Sequence, residues 1–209
     1  MNTIDLPTAA KNNMNGDTRF KMKLLLVSAS PVDNNPLKPD RELREIEQAI
    51  WKCKYRDSIT IRKFQGLRIA DLQHELLTWQ PTHVHFSGHG NTNGIALVDD
   101  QDNTQLVRFE PLAELFRLLS GQITCVFLNS CCSASQSRLL GQYIPYTVCM
   151  AGEIHDDAAT RFAVGYYAAI GAGNDEAFSF KWALNSMALN ETGDEHIPYL
   201  FTNTKDPHQ

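Results

Sequence analysis

The chain has 209 residues, 43% hydrophobic and 21% charged, which is typical of a folded domain and excludes a disordered or fibrous protein. Its formal net charge of −5 provides no basic surface for nucleic acid or for an anionic membrane. No apolar run approaches the roughly 18 residues of a membrane span, and residues 1–20 carry no secretory signal pattern. We therefore expect a cytoplasmic protein that binds neither nucleic acid nor membrane, with a flexible leader at residues 1–20 and one domain at residues 21–209.

From Lys21 onward, apolar runs typical of strands alternate with apolar residues at helical spacing. The first predicted elements are a strand at 22–29 and a helix capped by Asp40, which has Leu43, Ile46, Ala49, Ile50 and Cys53 on one face. A strand at 58–65, a helix at 69–79, a strand at 82–87 and a hairpin from 95–98 and 105–109 follow. The remaining elements are a helix at 111–119, a strand at 123–129, a helix at 134–143, a strand at 146–151, a helix from Asp156 or Asp157 to Gly171, a helix at 175–189 and a strand at 197–201.

Strands separated by helices need crossover connections, so this order predicts an α/β fold with a mostly parallel sheet between two helical layers. In such sheets, ligands bind beyond the carboxyl ends of the strands. Two predicted strands end in residues that could react. One runs into Gly88-His89-Gly90 and the other into Asn129-Ser130-Cys131-Cys132, on the same edge if both strands are parallel.

A histidine and a cysteine at neighbouring strand ends could form a nucleophilic pair. A thiol with a pKa of about 8.5 is mostly protonated at neutral pH, and an imidazole or a following helix N-terminus would favour the thiolate of Cys131. The backbone N–H groups of Gly90 and Cys131 could then stabilise an oxyanion. The alternative is structural: a cysteine at a strand end is often an inert apolar residue, and Gly-His-Gly is often a turn. Asn129 could orient the loop, although satisfying the backbone at the strand end is the preferred interpretation.

Other patterns point away from metal chemistry and disulfides. His83, His85 and His89 have a spacing that can bind zinc, but Gly88 occupies the place where an acidic ligand usually precedes the last histidine. We therefore predict no metal and no cofactor. The five cysteines are an odd number, and we expect free thiols, with Cys53, Cys125 and Cys149 used for packing.

The segments 82–90 (THVHFSGHG) and 126–131 (VFLNSC), with the opening LLLVSASP and the helix RELREI, resemble the CHAT domain. This is a family with the caspase-like cysteine peptidase fold, which is shared with caspases, separase and gingipains. The resemblance extends over about residues 23–200 and implies a three-layer sandwich with a small β-hairpin after the catalytic histidine loop. It also implies that His89 is the general acid or base, that Cys131 is the nucleophile, and that the N–H groups of Gly90 and Cys131 form the oxyanion hole.

By this resemblance the chain would be a cysteine endopeptidase that acts as a regulated effector in bacterial signalling or defence. Its partners would be a protein substrate and a separately encoded sensor or activator. Asp156 matches the position at which separase-like relatives bind a basic residue, so we expect cleavage after arginine, then lysine; an N-cap role is the alternative. Cys132, a second thiol beside Cys131, departs from the family pattern. A catalytically silent interaction module and a cysteine acyltransferase or amidase remain alternative functions.

Overall fold

The computed structural model describes residues 21–29, 37–88, 90–91, 93–101, 103–131 and 134–203. Its strands are β1 (Met22–Ala29), β2 (Ile59–Gln65), β3 (His83–Gly88), β4 (Gly90–Asn91), β5 (Gly94–Val98), β6 (Thr104–Arg108), β7 (Cys125–Cys131), β8 (Tyr146–Met150) and β9 (Pro198–Thr202). Its helices are α1 (Leu37–Trp51), α2 (Ile69–Thr78), α3 (Phe109–Leu118), α4 (Ala134–Gly141), α5 (Asp156–Gly171) and α6 (Glu176–Leu189), with a 3-10 turn at Arg56–Ser58. Each element predicted from the sequence is found, with differences at its ends.

The main sheet has the strand order β2-β1-β3-β7-β8-β9 within the described residues. The pairs β1–β2, β1–β3, β3–β7 and β7–β8 are parallel, and β9 alone pairs antiparallel, with β8. Parallel neighbours follow from the helical crossovers, because a short turn cannot return the chain to the same end of the sheet. The predicted mostly parallel sheet is therefore confirmed.

Helices cover both faces of this sheet. Because successive strand residues point to opposite faces, Leu25 and Val27 of β1 lie in one apolar cluster, and Leu24 and Leu26 lie in the other. The first cluster includes buried residues of α2, α3 and α4, and the second includes buried residues of α1, α5 and α6. The result is the predicted three-layer α/β sandwich.

The predicted hairpin after the histidine loop is present as β5 and β6. These strands pair antiparallel from Gly94 with Arg108 to Val98 with Thr104. The structure adds the short strand β4, which pairs with the other side of β5, so the hairpin is part of a three-stranded sheet. The end of β3 therefore leads directly into this small sheet.

Two helices begin earlier than the sequence suggested. Helix α1 begins at Leu37, so Asp40 lies inside its first turn and is not its cap, and it ends at Trp51, before Cys53. Helix α3 begins at Phe109 instead of at residue 111. In both helices a proline, Pro39 or Pro111, lies in the first turn, where its missing N–H has no partner to lose. A proline at this position lies within the first turn of the helix and does not mark the helix boundary.

Residues 1–20, predicted to be a flexible leader, lie outside the described residues. Within the described parts of the chain, none of the helices combines the length and apolarity needed to cross a membrane.

Candidate active site

Strands β3, β7 and β8 end at one edge of the main sheet, because they are adjacent and parallel. The last residues of β3 and β7 that pair with each other are Ser87 and Asn129. Neighbouring strands lie about 4.8 Å apart. The pairing of these two strands therefore ends two residues before His89 and two residues before Cys131, while Gly88 still pairs with Ala29 of β1 and Cys131 with Met150 of β8.

The backbone departs from regular strand geometry near both strand ends. Gly88, the last residue of β3, has a φ of 129°, a conformation that residues with a Cβ rarely adopt. A glycine at this position is therefore explained by this positive φ. On β7, the register with β8 shifts between Leu128 and Cys131, which indicates a β-bulge just before the strand ends. Bulges of this kind are common next to active sites.

The predicted site residues are described to different extents. His89 and Cys132 lie outside the described residues, Gly90 is the first residue of β4, and Cys131 is the last residue of β7. Their roles therefore stay predictions.

The site has a buried polar cluster that the sequence analysis did not assign, formed by Glu42, His85, Ser87, Asn129 and Tyr167. Glu42 of α1 is only 6% exposed. Its Oε1 accepts hydrogen bonds from His85 Nε2 at 2.9 Å and from Asn129 Nδ2 at 2.5 Å, and its Oε2 accepts one from Ser87 Oγ. On the far side of His85, the Tyr167 hydroxyl lies 3.3 Å from Nδ1. The carboxylate thus lies between α1 and the ends of β3 and β7.

The cluster satisfies most of its buried polar atoms. A buried carboxylate is costly unless it is hydrogen-bonded, and three donors converge on Glu42. With the proton of His85 on Nε2, that atom donates to Glu42 and Nδ1 accepts from Tyr167, so both ring nitrogens have partners. Asn129 Oδ1 is buried and has no partner among the described residues. The sequence carried one signal for this cluster: Glu42 precedes Ile46 and Ile50 by four and eight residues, on the sheet-facing side of α1.

Asn129 follows neither of its expected roles fully. The preferred interpretation was that its side chain satisfies the backbone at the strand end. Its Nδ2 does reach a backbone oxygen, that of Ala159 on α5, at 3.5 Å, but its shorter bond is to Glu42. Asn129 therefore connects β7 to both α1 and α5.

Asp156 lies beyond β8, on the same sheet edge. It is the first residue of α5 and is exposed. The N-cap position is occupied by His155, and the structure records no side-chain capping hydrogen bond there. Neither Asp156 nor Asp157 is therefore the N-cap, because they follow that position by one and two residues. Both carboxylates lie in the first turn of the helix, where negative charge is favourable. Asp157 contacts Arg41 of α1 at 3.3 Å.

Asp194 fixes the loop between β8 and α5. Its Oδ2 accepts hydrogen bonds from the His155 backbone N–H at 3.0 Å and from His155 Nδ1 at 2.8 Å. These bonds lower the pKa of the Asp194 carboxyl below its usual value, and the bond from the backbone N–H has the larger effect. The loop that precedes Asp156 is therefore tied to the segment between α6 and β9.

Two of the three histidines with metal-ligand spacing have other partners. His83 Nε2 lies 3.2 Å from Glu176 Oε1 and its Nδ1 lies 2.9 Å from Thr82 Oγ1, while His85 bonds to Glu42 and Tyr167. Among the residues with described positions, no three His, Cys, Asp or Glu side chains are grouped as metal ligands.

The packing role predicted for three cysteines agrees with their surroundings. Cys125 and Cys149 are buried and Cys53 is half-buried, and none of the three forms a disulfide within the described part of the chain. Burial raises the pKa of Cys125 to about 12, and burial also raises the pKa of Cys53. The thiols of Cys125 and Cys53 are therefore poor nucleophiles at neutral pH, because the thiolate is the reactive form.

Comparison with known proteins places this fold. The CHAT domain family model matches residues 8–200. No curated protein matches the sequence. Among solved structures, a secreted C11 cysteine protease from Bacteroides thetaiotaomicron, determined with an irreversible peptide inhibitor, is 12% identical with a TM-score of 0.61, and the match covers 81% of this chain and 60% of that one.

Two further structures have the same fold. The Arg-specific cysteine proteinase gingipain R is 11% identical with a TM-score of 0.64, over 87% of this chain and 46% of that chain. The Drosophila initiator caspase Dronc is 11% identical with a TM-score of 0.51, over 81% and 74%. This chain thus spans less than two thirds of the length of the C11 protease and of gingipain R. At sequence identities this low, the similarity to these structures shows the fold alone. The CHAT family model, in contrast, matches nearly the whole sequence. The chain therefore belongs to the CHAT domain family and has the caspase-like fold.

Proposed function

We propose that this chain is a cysteine endopeptidase in which His89 and Cys131 act as a catalytic dyad. The observation that carries the proposal is the pairing of β3 with β7, parallel and in register up to Ser87 and Asn129. Two chain segments that start about 5 Å apart and continue for two residues can bring an imidazole and a thiol to one substrate. Membership of the CHAT family and the cysteine protease neighbours support the same reaction.

In the proposed reaction, His89 takes the thiol proton of Cys131, and the resulting thiolate attacks the carbonyl carbon of a peptide bond. The carbonyl oxygen becomes an oxyanion that accepts hydrogen bonds from the backbone N–H groups of Gly90 and Cys131. His89 gives a proton to the leaving amine, the C–N bond breaks, and an acyl-enzyme remains. Water, losing a proton to His89, then attacks the thioester, which releases the carboxylic acid and restores the thiol. None of these steps requires a metal or an organic cofactor.

Asp156 is the proposed recognition residue for arginine, and then lysine, before the cleaved bond. Its support is its place at the start of α5, beyond β8 on the sheet edge that also bears the ends of β3 and β7. A carboxylate binds guanidinium through two parallel hydrogen bonds, which favours arginine over lysine. One of the neighbouring structures, gingipain R, is described as Arg-specific.

Peptide cleavage tests the dyad. Purified chain is incubated with a panel of fluorogenic peptides, first alone and then with the protein products of neighbouring genes. The second arm is needed because we propose that a separately encoded sensor controls this chain in bacterial signalling or defence. The support for that control is family membership alone. We expect Cys131→Ala to lower kcat/KM by at least about a thousandfold, and Cys132→Ala to retain activity. Full activity in Cys131→Ala would overturn the proposal, and product masses would distinguish hydrolysis from acyl transfer.

Specificity is tested with the matched pair Asp156→Ala and Asp157→Ala, which alter adjacent exposed carboxylates of the same helix turn. We expect Asp156→Ala to reduce cleavage after arginine by about tenfold or more, because a bidentate ionic contact is lost. Asp157→Ala removes only the exposed contact with Arg41 and should have little effect. Equal arginine preference in both variants would remove Asp156 from the account.

A further inference from the structure

One oxygen atom joins the two strands that carry the proposed dyad. Glu42 Oε1 accepts from His85 Nε2 on β3 at 2.9 Å and from Asn129 Nδ2 on β7 at 2.5 Å. The second oxygen, Oε2, accepts from Ser87 Oγ, also on β3. A side chain of α1 thus bonds to both strands at once, to His85 in the middle of β3 and to Ser87 and Asn129 near the strand ends.

The bonds lie close to the reactive positions along the chain. Ser87 precedes His89 by two residues, and Asn129 precedes Cys131 by two residues. Separation of β3 from β7 at this level lengthens a bond to Glu42 Oε1, and closer approach brings the two donors on that oxygen towards each other. Because the cluster is buried, water does not readily replace a lost donor. The carboxylate therefore favours one spacing of the strand ends.

The same cluster reaches the helix that begins with Asp156. Tyr167 of α5 lies 3.3 Å from His85 Nδ1, and the Ala159 carbonyl of α5 accepts from Asn129 Nδ2 at 3.5 Å. Helices α1 and α5 and strands β3 and β7 are thus connected through one group of side chains.

We propose that Glu42 is a positioning residue: its carboxylate holds the ends of β3 and β7 at a fixed spacing and so sets the geometry of the residues that follow, Gly88–Gly90 and Ser130–Cys132. The catalytic consequence rests on the proposed His89–Cys131 dyad, whereas the mechanical role does not. Glu42 does not contact substrate in this account.

Glu42→Gln is the main variant, because it keeps the size of the side chain and replaces one acceptor oxygen by an NH₂ donor. In the Oε1 position that NH₂ group faces His85 Nε2 and Asn129 Nδ2, and in the Oε2 position it faces the Ser87 hydroxyl, which can turn to accept. In either orientation the charge-assisted bonds of the carboxylate to β3 and β7 are replaced by weaker neutral ones. Glu47→Gln is the matched control on the same helix, since Glu47 lies at the surface and pairs with Lys63 at 2.6 Å. Glu42→Asp, with a carboxylate one methylene shorter, gives a graded change should Glu42→Gln fail to fold.

Amide hydrogen exchange tests the mechanical role without reference to activity. We expect exchange in peptides covering the ends of β3 and β7 to be at least about tenfold faster in Glu42→Gln than in wild type, with both segments affected together. Glu42→Asp should show the same pattern with a smaller increase, and Glu47→Gln should match wild type. Faster exchange confined to α1, or spread evenly over the chain, would overturn the proposal.

Kinetics then test the consequence for catalysis. We expect Glu42→Gln to lower kcat by about tenfold to a hundredfold while KM stays within about twofold, because geometry at the reacting atoms changes and substrate contacts do not.

The two proposals fail in different ways. If Cys131→Ala cleaves peptides as fast as an active wild type, the dyad is wrong, and the exchange pattern of Glu42→Gln still decides whether this carboxylate spaces the strands. If wild type cleaves and Glu42→Gln cleaves as fast as Glu47→Gln, the dyad stands and the positioning role is refuted.

Discussion

Replacing Phe127 by alanine is the most direct test of how β7 packs against α5. Phe127 is fully buried on β7, and its ring centroid lies 4.6 Å from that of His85, 5.3 Å from Tyr166, 5.7 Å from Phe162 and 5.8 Å from Tyr167. Buried Phe→Ala changes cost about 3–5 kcal/mol. Three of the surrounding rings belong to α5, whose backbone limits how far they can move into the cavity. We therefore expect the upper half of that range, about 4–5 kcal/mol.

Urea unfolding measures this loss. With a slope of about 2 kcal/mol per molar urea, the midpoint should fall by about 2 M. Phe178→Ala is the control, because Phe178 is half-exposed on α6 and stacks only on Trp182 among the ring contacts the structure records; it should lose less than about 1 kcal/mol. A loss below about 2 kcal/mol for Phe127→Ala, or equal losses for both variants, would contradict the packing of β7 against α5.

Three further predictions concern the strand ends and the loops near them. Gly88→Ala should destabilise the chain by about 1–3 kcal/mol in urea unfolding, because φ is 129° there, and Gly152→Ala, where a Cβ meets nothing within 4 Å, should be close to neutral. Gly94→Ala should lower the thermal midpoint, since its Cβ would lie 2.1 Å from the Val107 carbonyl oxygen and force β5 and β6 apart; a wild-type midpoint would contradict that pairing. Because the pKa of Asp194 is lowered in the folded chain, its contribution to stability is present above its unfolded pKa, near 3.8, and is lost as pH falls through the lower folded value. Asp194→Asn should therefore lose less stability than wild type between pH 5 and pH 3, and identical pH profiles would refute the role of the His155 bonds.

The arrangement of strands and helices could be predicted from the sequence because both signals are local. Apolar runs such as residues 22–29 mark strands covered on both faces, and helical spacing marks the layers that cover them. Helix starts were harder to predict, because Asp40 looks like a cap, whereas it lies within the first turn of α1. Capping depends on the φ and ψ angles of neighbouring residues, which single residue types do not determine.

The buried cluster could not be predicted from local pattern, because its members are distant in sequence. Glu42 and Asn129 are 87 positions apart, and only the crossover order that makes β3 and β7 neighbours brings them together. A glutamate on the apolar side of α1 is a signal for a buried charge that was not used in the prediction, and it does not identify the partners of that charge. Asn129 was recognised as a residue at a strand end, yet its bond to Glu42 depends on how α1 packs against the sheet.

The central claim is that the imidazole of His89 makes Cys131 a thiolate at neutral pH. The direct measurement is the rate of Cys131 alkylation by iodoacetamide between pH 5 and pH 10, in wild type and in His89→Ala, with the modified residue identified by mass spectrometry. The high pKa of Cys125 keeps that thiol out of the reaction over most of this range. We predict that wild-type Cys131 reacts with an apparent pKa well below the usual value of about 8.5, and that His89→Ala returns it towards that value. Superimposable profiles for the two proteins would contradict the account.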